Sequence, residues 1–235
     1  MSRRYWGFVV LVLLVTAVAL SGCCGPWCDW IEGIRGVRVE RLRGSGRLVT
    51  RDMDFRDFTN LEVSHAFEVD LVQSRSYSVV ITTDDNVIDE VEVTKFGNTL
   101  RIGLKEIFIN IQGVTLRAEV SMPTLEALDL SGATSLKGEM DTGDVRFELS
   151  GASRLTLDGT GGDMRIDASG ASHADLSDFV VEDADVEVSG ASRATVNVTG
   201  RLDVDASGAS RVDYLGDPIL GRIDTSGASS VSPAR

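Results

Sequence analysis

The tetrapeptide Ser-Gly-Ala-Ser/Thr occurs six times in the second half of the chain. The copies lie 19, 19, 20, 18 and 19 positions apart and begin at Ser131, Ser150, Ser169, Ser189, Ser207 and Ser226. Apolar and polar residues alternate around each copy, as in Val145, Phe147 and Leu149, which is typical of a strand with one buried face. This repeat constrains the fold strongly, because one short structural unit must be reused at a fixed period.

Strands that recur at this period form either the hairpins of a sandwich or the successive coils of a parallel solenoid. Alternate strands of hairpins run in opposite directions and would present different ends to the corner. In a solenoid each coil lies on the last at ~4.8 Å, so equivalent positions stack into columns. The sequence therefore predicts an all-β parallel β-helix with coils of ~19 residues over 129–232, continuous with an irregular β-rich part over 42–128.

The repeated tetrapeptide is predicted to form a stacked corner. Glycine at its second position tolerates the positive φ that a sharp corner needs. We expect the alanine to point inside, where the tube narrows, and both hydroxyls to bond backbone groups or the neighbouring coil's serine. Residues 62–66 follow the same pattern with His65 in the glycine position, which predicts a degenerate coil. Residues 96–100 are expected to form a tight turn between two strands.

An acidic residue stands two positions before the first serine of every copy. These residues are Asp129, Glu148, Asp167, Glu187, Asp205 and Asp224. Stacked carboxylates repel one another by ~1 kcal/mol or less per exposed neighbour. We expect this repulsion to be reduced by solvation, together with arginines across the corner at Arg154, Arg193 and Arg211. Bridging by calcium is the alternative, although the repeat is not the nonapeptide of calcium-binding β-rolls, and no cofactor is predicted.

The N-terminus has the pattern of an export signal. Arg3 and Arg4 precede an uncharged stretch at 6–20, which is shorter than the ~20 residues that a membrane-spanning helix needs. The stretch ends in Leu-Ser-Gly-Cys at 20–23, which resembles a bacterial lipobox. That resemblance implies a lipoprotein signal peptide at 1–22, acylation of Cys23 and a tether at 23–41. The alternatives are an ordinary signal peptide cut near Ser21, or an uncleaved anchor.

The positions of the cysteines and the net charge limit the expected cysteine chemistry and the expected partners. The three cysteines are Cys23, Cys24 and Cys28. If Cys23 carries lipid, Cys24 and Cys28 form either a small disulfide or two incidental thiols, since a metal site there would lack ligands. The formal net charge of −13 repels phosphate backbones, so nucleic acid is not an expected partner.

Three parts of the chain together carry a family resemblance. They are residues 44–74, residues 98–104 and the run of Ser-Gly-Ala-Ser coils. In this order, over about residues 44–230, they resemble the family named "putative auto-transporter adhesin, head GIN domain". The resemblance implies a right-handed β-helix-like fold on an exported protein, and the family name suggests adhesion. It brings no catalytic residues, and we expect attachment through the N-terminal lipid.

Catalysis is a separate hypothesis, because parallel β-helices also include polysaccharide lyases and hydrolases. The chain has two histidines. His173 occupies the position that Arg154, Arg193 and Arg211 hold in other coils, so it is interpreted as an outward repeat variant, and His65 as a corner substitution. No serine has the strand–turn–helix context of a nucleophile elbow. We therefore predict no catalytic residue and no enzymatic activity.

The leading hypothesis is an exported, lipid-anchored solenoid of the cell envelope or cell surface, used for non-enzymatic adhesion, scaffolding or binding. Its expected ligand is a protein or a glycan. One alternative is a glycan-active β-helix enzyme, a lyase or hydrolase of the cell envelope, and another is an envelope stress or regulatory lipoprotein. A deep groove lined by acids and arginines would favour the enzyme. Uniform ladders without a concavity would favour the scaffold.

Overall fold

The computed structural model describes residues 41–105 and 110–234, and all of its regular elements are β-strands. The predicted signal peptide and tether, with Cys23, Cys24 and Cys28, lie outside the described residues. Within the described ranges, no helix has the length and apolar character needed to cross a bilayer.

The strands are numbered in chain order. They are β1 (Arg41–Arg43), β2 (Leu48–Met53), β3 (Asn60–Val63), β4 (Glu68–Gln73), β5 (Ser78–Asp84), β6 (Val91–Phe96), β7 (Thr99–Leu104), β8 (Asn110–Gln112), β9 (Leu116–Met122), β10 (Ala127–Leu130), β11 (Ser135–Asp141), β12 (Val145–Leu149), β13 (Arg154–Thr160), β14 (Met164–Ala168), β15 (His173–Val181), β16 (Ala184–Val188), β17 (Arg193–Val198), β18 (Arg201–Ala206), β19 (Arg211–Leu215), β20 (Ile219–Thr225) and β21 (Ser230–Pro233).

Two long sheets contain nearly all of these strands. Sheet 1 has nine strands in the order β20-β18-β16-β14-β12-β10-β3-β7-β6. Sheet 2 has ten strands in the order β2-β5-β9-β4-β11-β13-β15-β17-β19-β21. From β10 onward each strand pairs in parallel with the strand two further along the chain, so every coil contributes one strand to each sheet. The predicted parallel β-solenoid is confirmed.

The hydrophobic core lies between the two sheets and follows from the alternation in the sequence. In β12, Val145, Phe147 and Leu149 are buried, whereas the residues between them are exposed. The position of Phe147 is occupied in the next coils by Ile166 and Val186, which are also fully buried. Burying such a side chain contributes about 1.5–3 kcal/mol, so each added coil extends one continuous core.

The N-terminal part departs from chain order. The coil formed by β3 and β4 pairs in parallel with β10 and β11 on one side. On its other side it pairs in parallel with β7 and β9, which come later in the sequence. Antiparallel strands then close this end of the solenoid: β6 lies on β7, β5 on β9 and β2 on β5. Reversed strands cannot continue the parallel stack, so they cap it.

Both local predictions for this part are confirmed. His65 has a φ of 75°, close to the corner glycines, and its coil stacks directly on the first regular coil. β6 and β7 form a hairpin whose turn contains Gly97 with a φ of 61°. A residue with a side chain is tolerated at position 65 because the neighbouring coil there contains β7 instead of another glycine corner. The backbone N–H of Leu104, at the end of β7, donates to His65 Nδ1 at 3.3 Å.

The corner glycines are fixed by the coil beneath them. The six glycines of the repeat have φ values of 73–78°. A Cβ atom on Gly190 would lie 2.6 Å from the carbonyl oxygen of Gly170 in the preceding coil. The same carbonyl accepts a hydrogen bond from the backbone N–H of Ala191 at 2.8 Å. Close stacking of these hydrogen-bonded corners therefore excludes any side chain at the glycine position.

The expectation that the corner alanines point inside is wrong. The alanines are exposed, whereas the fourth residue of the corner is buried, as at Ser153, Ser172 and Ser192. Glycine and alanine are exposed in succession, and the inward alternation resumes at the fourth residue. Its hydroxyl donates to the carbonyl oxygen of the corner's first residue, at 2.8 Å from Ser153 Oγ to Ser150, and Ser172 Oγ also donates to Ser192 Oγ at 3.2 Å. The expected bonding of the hydroxyls is thus confirmed at the buried position.

Candidate functional site

A column of carboxylates runs along the outer face of sheet 1. We call it the acid ladder, and its members are in register on adjacent strands: Glu62, Asp129, Glu148, Asp167, Glu187, Asp205 and Asp224. The six acids of the repeat are thus joined by Glu62 of the degenerate coil. The strand spacing sets their backbones ~4.8 Å apart, so the column is continuous and polar.

Arginines of sheet 1 itself neutralise part of the acid ladder. The guanidinium of Arg146 lies 2.6 Å from Glu148, that of Arg165 lies 2.5 Å from Glu187, and that of Arg222 lies 3.4 Å from Asp224. Arg146 and Arg222 each stand two residues before their acidic partner, and side chains two apart on a strand share a face.

The expected neutralisation of the acids from across the corner is wrong. Arg154, Arg193 and Arg211 begin strands of sheet 2. In the part of the chain that the structure describes, none of the three forms an ion pair with the acid ladder. A guanidinium on the same strand face reaches the carboxylates more directly than one beyond a corner.

Asp129 is an acid-ladder member that lies between two like charges. It is half-buried between Glu62 and Glu148 and forms no ion pair within the described residues. Its pKa is raised, first by burial and then by the charges of Glu62 and Glu148. Ionised Asp129 therefore destabilises the fold, because the folded protein holds this proton more tightly than the unfolded chain.

Each coil has a second corner, which joins its sheet 2 strand to the next sheet 1 strand, as at 161–163 between β13 and β14. An open groove of about 450 Å³ lies on sheet 1 beside these second corners. We call it the acidic groove, since it is lined by six acidic residues and three arginines. Several of its carboxylates bind the backbone of the next coil. Asp144 Oδ1 accepts from the N–H of Asp163 at 3.0 Å, and Asp183 Oδ1 accepts from the N–H of Arg201 at 2.6 Å. These acids secure the second corner, as aspartates do in turns.

The electrostatics of the acidic groove keep one of its carboxyl groups ionised. Hydrogen bonds from the Arg201 side chain and from the backbone N–H of Arg222 lower the pKa of Asp203 to about 2. A general acid must instead retain its proton near neutral pH. The carboxyl with a raised pKa, Asp129, is not among the residues that line this groove.

The outer face of sheet 2 carries a second column beside the corner. Arg154, His173, Arg193 and Arg211 are in register on β13, β15, β17 and β19, and we call them the basic ladder. His173 therefore occupies the arginine column, as predicted from the repeat. Its pKa is lowered, first by burial and then by the charge of Arg154.

The two histidines lie in different settings. His65 Nδ1 contacts Ser64 Oγ at 2.8 Å at the corner of the degenerate coil, and burial lowers its pKa. His173 lies in the first position of β15. Within 41–105 and 110–234, no three His, Cys, Asp or Glu side chains converge as a metal site requires.

A family model described as "Putative auto-transporter adhesin, head GIN domain" matches residues 57–218. The chain belongs to this family. Its name suggests binding to a ligand at the cell surface or outside the cell. No curated protein matches the sequence.

Two solved structures share the fold. One is described as a "putative adhesin" from Bacteroides fragilis, with 17% identity, a TM-score of 0.64, and coverage of 82% of this chain and 100% of that one. The other is described as a "putative lipid binding protein" from Parabacteroides distasonis, with 18% identity, a TM-score of 0.55, and coverage of 83% of this chain and 100% of that one. At these identities the likeness is one of fold.

Proposed function

We propose that this protein is an exported, membrane-anchored β-solenoid that binds a surface ligand, either a protein or a glycan, without chemically changing it. The observation that carries the proposal is the register of the outward charges. The acid ladder continues from Glu62 to Asp224, and the basic ladder from Arg154 to Arg211. Each coil therefore offers a similar contact, and the name of the family is consistent with adhesion.

Repetition of the coils determines the kind of partner that this surface suits. The five coil steps from Ser131 to Ser226 extend ~24 Å at the strand spacing. One coil offers only a few exposed polar contacts, which bind weakly. A polymeric or multivalent partner that engages several coils gains affinity through effective concentration, with no new type of contact.

Anchoring is the N-terminal part of the proposal. We assign residues 1–22 as a lipoprotein signal peptide, Cys23 as the acylated residue and residues 23–41 as the tether. Each buried methylene of a lipid chain contributes ~0.8 kcal/mol, so more than one acyl chain gives lasting attachment. This places the solenoid at the cell envelope or cell surface, where an adhesive surface meets its ligand.

The acidic groove is the observation that favours the alternative, a glycan-active enzyme. Glycosidases use two carboxyl groups, one of which is protonated at working pH. In this groove Asp144 and Asp183 are engaged by backbone N–H groups, and Asp203 is ionised. These contacts support a structural role for the acids and favour binding over catalysis.

The experiment exposes the full chain to glycan and extracellular-matrix arrays and analyses both retention and reaction products. We expect salt-sensitive retention on an extended or multivalent ligand, with the ligand recovered intact. Charge reversal in two neighbouring coils, Glu187→Lys with Asp205→Lys, should alter retention and leave the circular dichroism spectrum unchanged. Hydrolysis or elimination of any glycan, abolished by a single carboxylate substitution, would establish the enzyme instead.

A further inference from the structure

We infer that the basic ladder of Arg154, His173, Arg193 and Arg211 is a binding site for a linear acidic polysaccharide that carries sulfate or carboxylate groups. This inference rests on the proposed function, because it names the ligand class of the basic ladder, one of the two charged columns on which that function depends. The three steps from Arg154 to Arg211 extend ~14 Å along the solenoid at the strand spacing. A polysaccharide that binds along the basic ladder meets a guanidinium on three of its four coils.

The arginines of the basic ladder differ from those of sheet 1 in having no acidic partner among the described residues. On sheet 1, Arg146, Arg165, Arg201 and Arg222 all form ion pairs with nearby carboxylates. A guanidinium presents five N–H donors in a planar fork that matches the oxygens of a sulfate or carboxylate group. The donors of the basic ladder are therefore available to an external anion.

The acids nearest to the basic ladder along its strands are turned toward serines. Asp175 and Asp213 lie two residues beyond His173 and Arg211. Asp175 Oδ1 accepts from Ser177 Oγ at 2.8 Å, and Asp213 Oδ1 accepts from Ser232 Oγ at 2.9 Å. Both carboxylates keep their negative charge, but neither forms an ion pair with an arginine of the basic ladder among the described residues. Beyond the effect of burial, the pKa of His173 responds to both signs of charge, since Arg154 and Arg193 lower it and Asp175 raises it.

The shape of the site suits a single flexible chain. A groove of about 510 Å³ follows the basic ladder beside the corners. Exposed alanines of the corners, such as Ala171, Ala191 and Ala209, line it together with the serines that follow them, so only small side chains from the corners lie beside the arginines. No phenylalanine, tyrosine or tryptophan lines this groove, whereas proteins that bind single-stranded nucleic acid stack successive bases on aromatic rings. The net charge of −13 opposes every polyanion, so binding of the acidic polysaccharide must come from direct contacts with the three arginines.

The test measures binding of the full chain to dextran sulfate, with unsulfated dextran of the same length as the neutral probe. We expect salt-sensitive binding to dextran sulfate only. The variant combines Arg154→Ser, Arg193→Ser and Arg211→Ser, because serine is the native residue in this column at Ser135 and Ser230. It should bind at least about tenfold more weakly, since three charge-assisted contacts are removed, while it melts at nearly the wild-type temperature.

The matched control removes the same charge from the N-terminal part of the protein, through Arg51→Ser, Arg56→Ser and Arg75→Ser. It should lose less than about threefold in affinity, because overall charge acts more weakly than direct contacts. Equal losses in the two triple variants would overturn the inference. So would equal binding of both dextrans, or stronger binding to phosphatidylserine vesicles or single-stranded DNA than to dextran sulfate.

The outcome for the ligand class is separable from the outcome for the proposed function. If array ligands are retained equally by the wild type and the basic-ladder variant, and dextran sulfate does not bind, the inference fails while the proposed function stands. Cleavage of an array glycan by the wild type would instead refute the proposed function, whatever dextran sulfate does.

Discussion

Replacing Gly190 by valine tests whether the stacked corners require glycine. Gly190 has a φ of 73°, a region that L-residues with a branched Cβ strongly disfavour. The new Cβ would also lie 2.6 Å from the carbonyl oxygen of Gly170 and 3.1 Å from its nitrogen. Both neighbours are backbone atoms, so no rotamer change relieves the overlap and the coils must move apart.

The magnitude follows from these contacts. Backbone strain of this kind costs about 1–3 kcal/mol. Displacement also weakens the hydrogen bonds from Ala191 N–H to the Gly170 carbonyl, at 2.8 Å, and from Ala209 N–H to the Gly190 carbonyl, at 2.7 Å. Each such bond contributes about 0.5–1.5 kcal/mol, so we expect a total loss of about 2–6 kcal/mol. A domain of this size then melts about 4–24 °C lower.

Thermal melts followed by circular dichroism measure the effect against two controls. Ser192→Ala removes a buried hydroxyl that accepts from Ser172 Oγ at 3.2 Å, which costs about 0.5–1.5 kcal/mol. Ala191→Val adds the same side chain one residue further on, at an exposed position, and should stay within about 0.5 kcal/mol of wild type. If Gly190→Val melts at the temperature of either control, the stacked corners do not require glycine.

Two further predictions concern the acid ladder and the anchor. Asp129→Asn should raise the free energy of unfolding by about 0.5–1 kcal/mol at about pH 7, because folding then neither half-buries a charge at this position nor brings it between Glu62 and Glu148. The folded pKa of Asp129 is raised, so the penalty exists above that pKa and is absent below the ordinary aspartate pKa. Urea unfolding at about pH 7 and about pH 3 should therefore show the gain only at the higher pH, and an equal gain at both would contradict this assignment. Cys23→Ser should release the protein from carbonate-washed membranes and abolish palmitate labelling. If the variant stays bound to the membranes and the wild type takes up no palmitate, Cys23 is not acylated.

The solenoid was predictable from the sequence because its register is encoded in the repeat. Each coil pairs with the next copy of the same motif, so a local pattern determines long-range contacts. The position of the β3 and β4 coil between later segments was not predictable in this way. β7 pairs in parallel with β3, yet Thr99–Leu104 carries no copy of the corner motif. Its pairing depends on contacts between segments that have no shared sequence signature.

The corner alanine was wrongly predicted to point inside because the prediction used its small size. The backbone geometry of the corner determines which side chains face the interior. The positive φ of the glycine places two exposed residues in succession and returns the fourth residue to the interior. A signal was present, since the fourth position is always Ser or Thr, whose hydroxyl can bond the carbonyl three residues earlier. The ion pairs of the acid ladder were also readable, because Arg146 and Arg222 stand two residues before an acid on one strand.

The proposed function requires that repeated coils give affinity through multivalent binding without turnover of the ligand. A length series of dextran sulfate, from the single sulfated sugar to long chains, tests it when affinity and product size are measured in the same samples. We expect affinity to rise steeply until the polysaccharide spans the ~14 Å of the basic ladder and to rise little beyond that length. We also expect every polysaccharide chain to be recovered intact. Equal affinity for the single sugar and the long chain, or shortening of the polymer, would contradict this requirement.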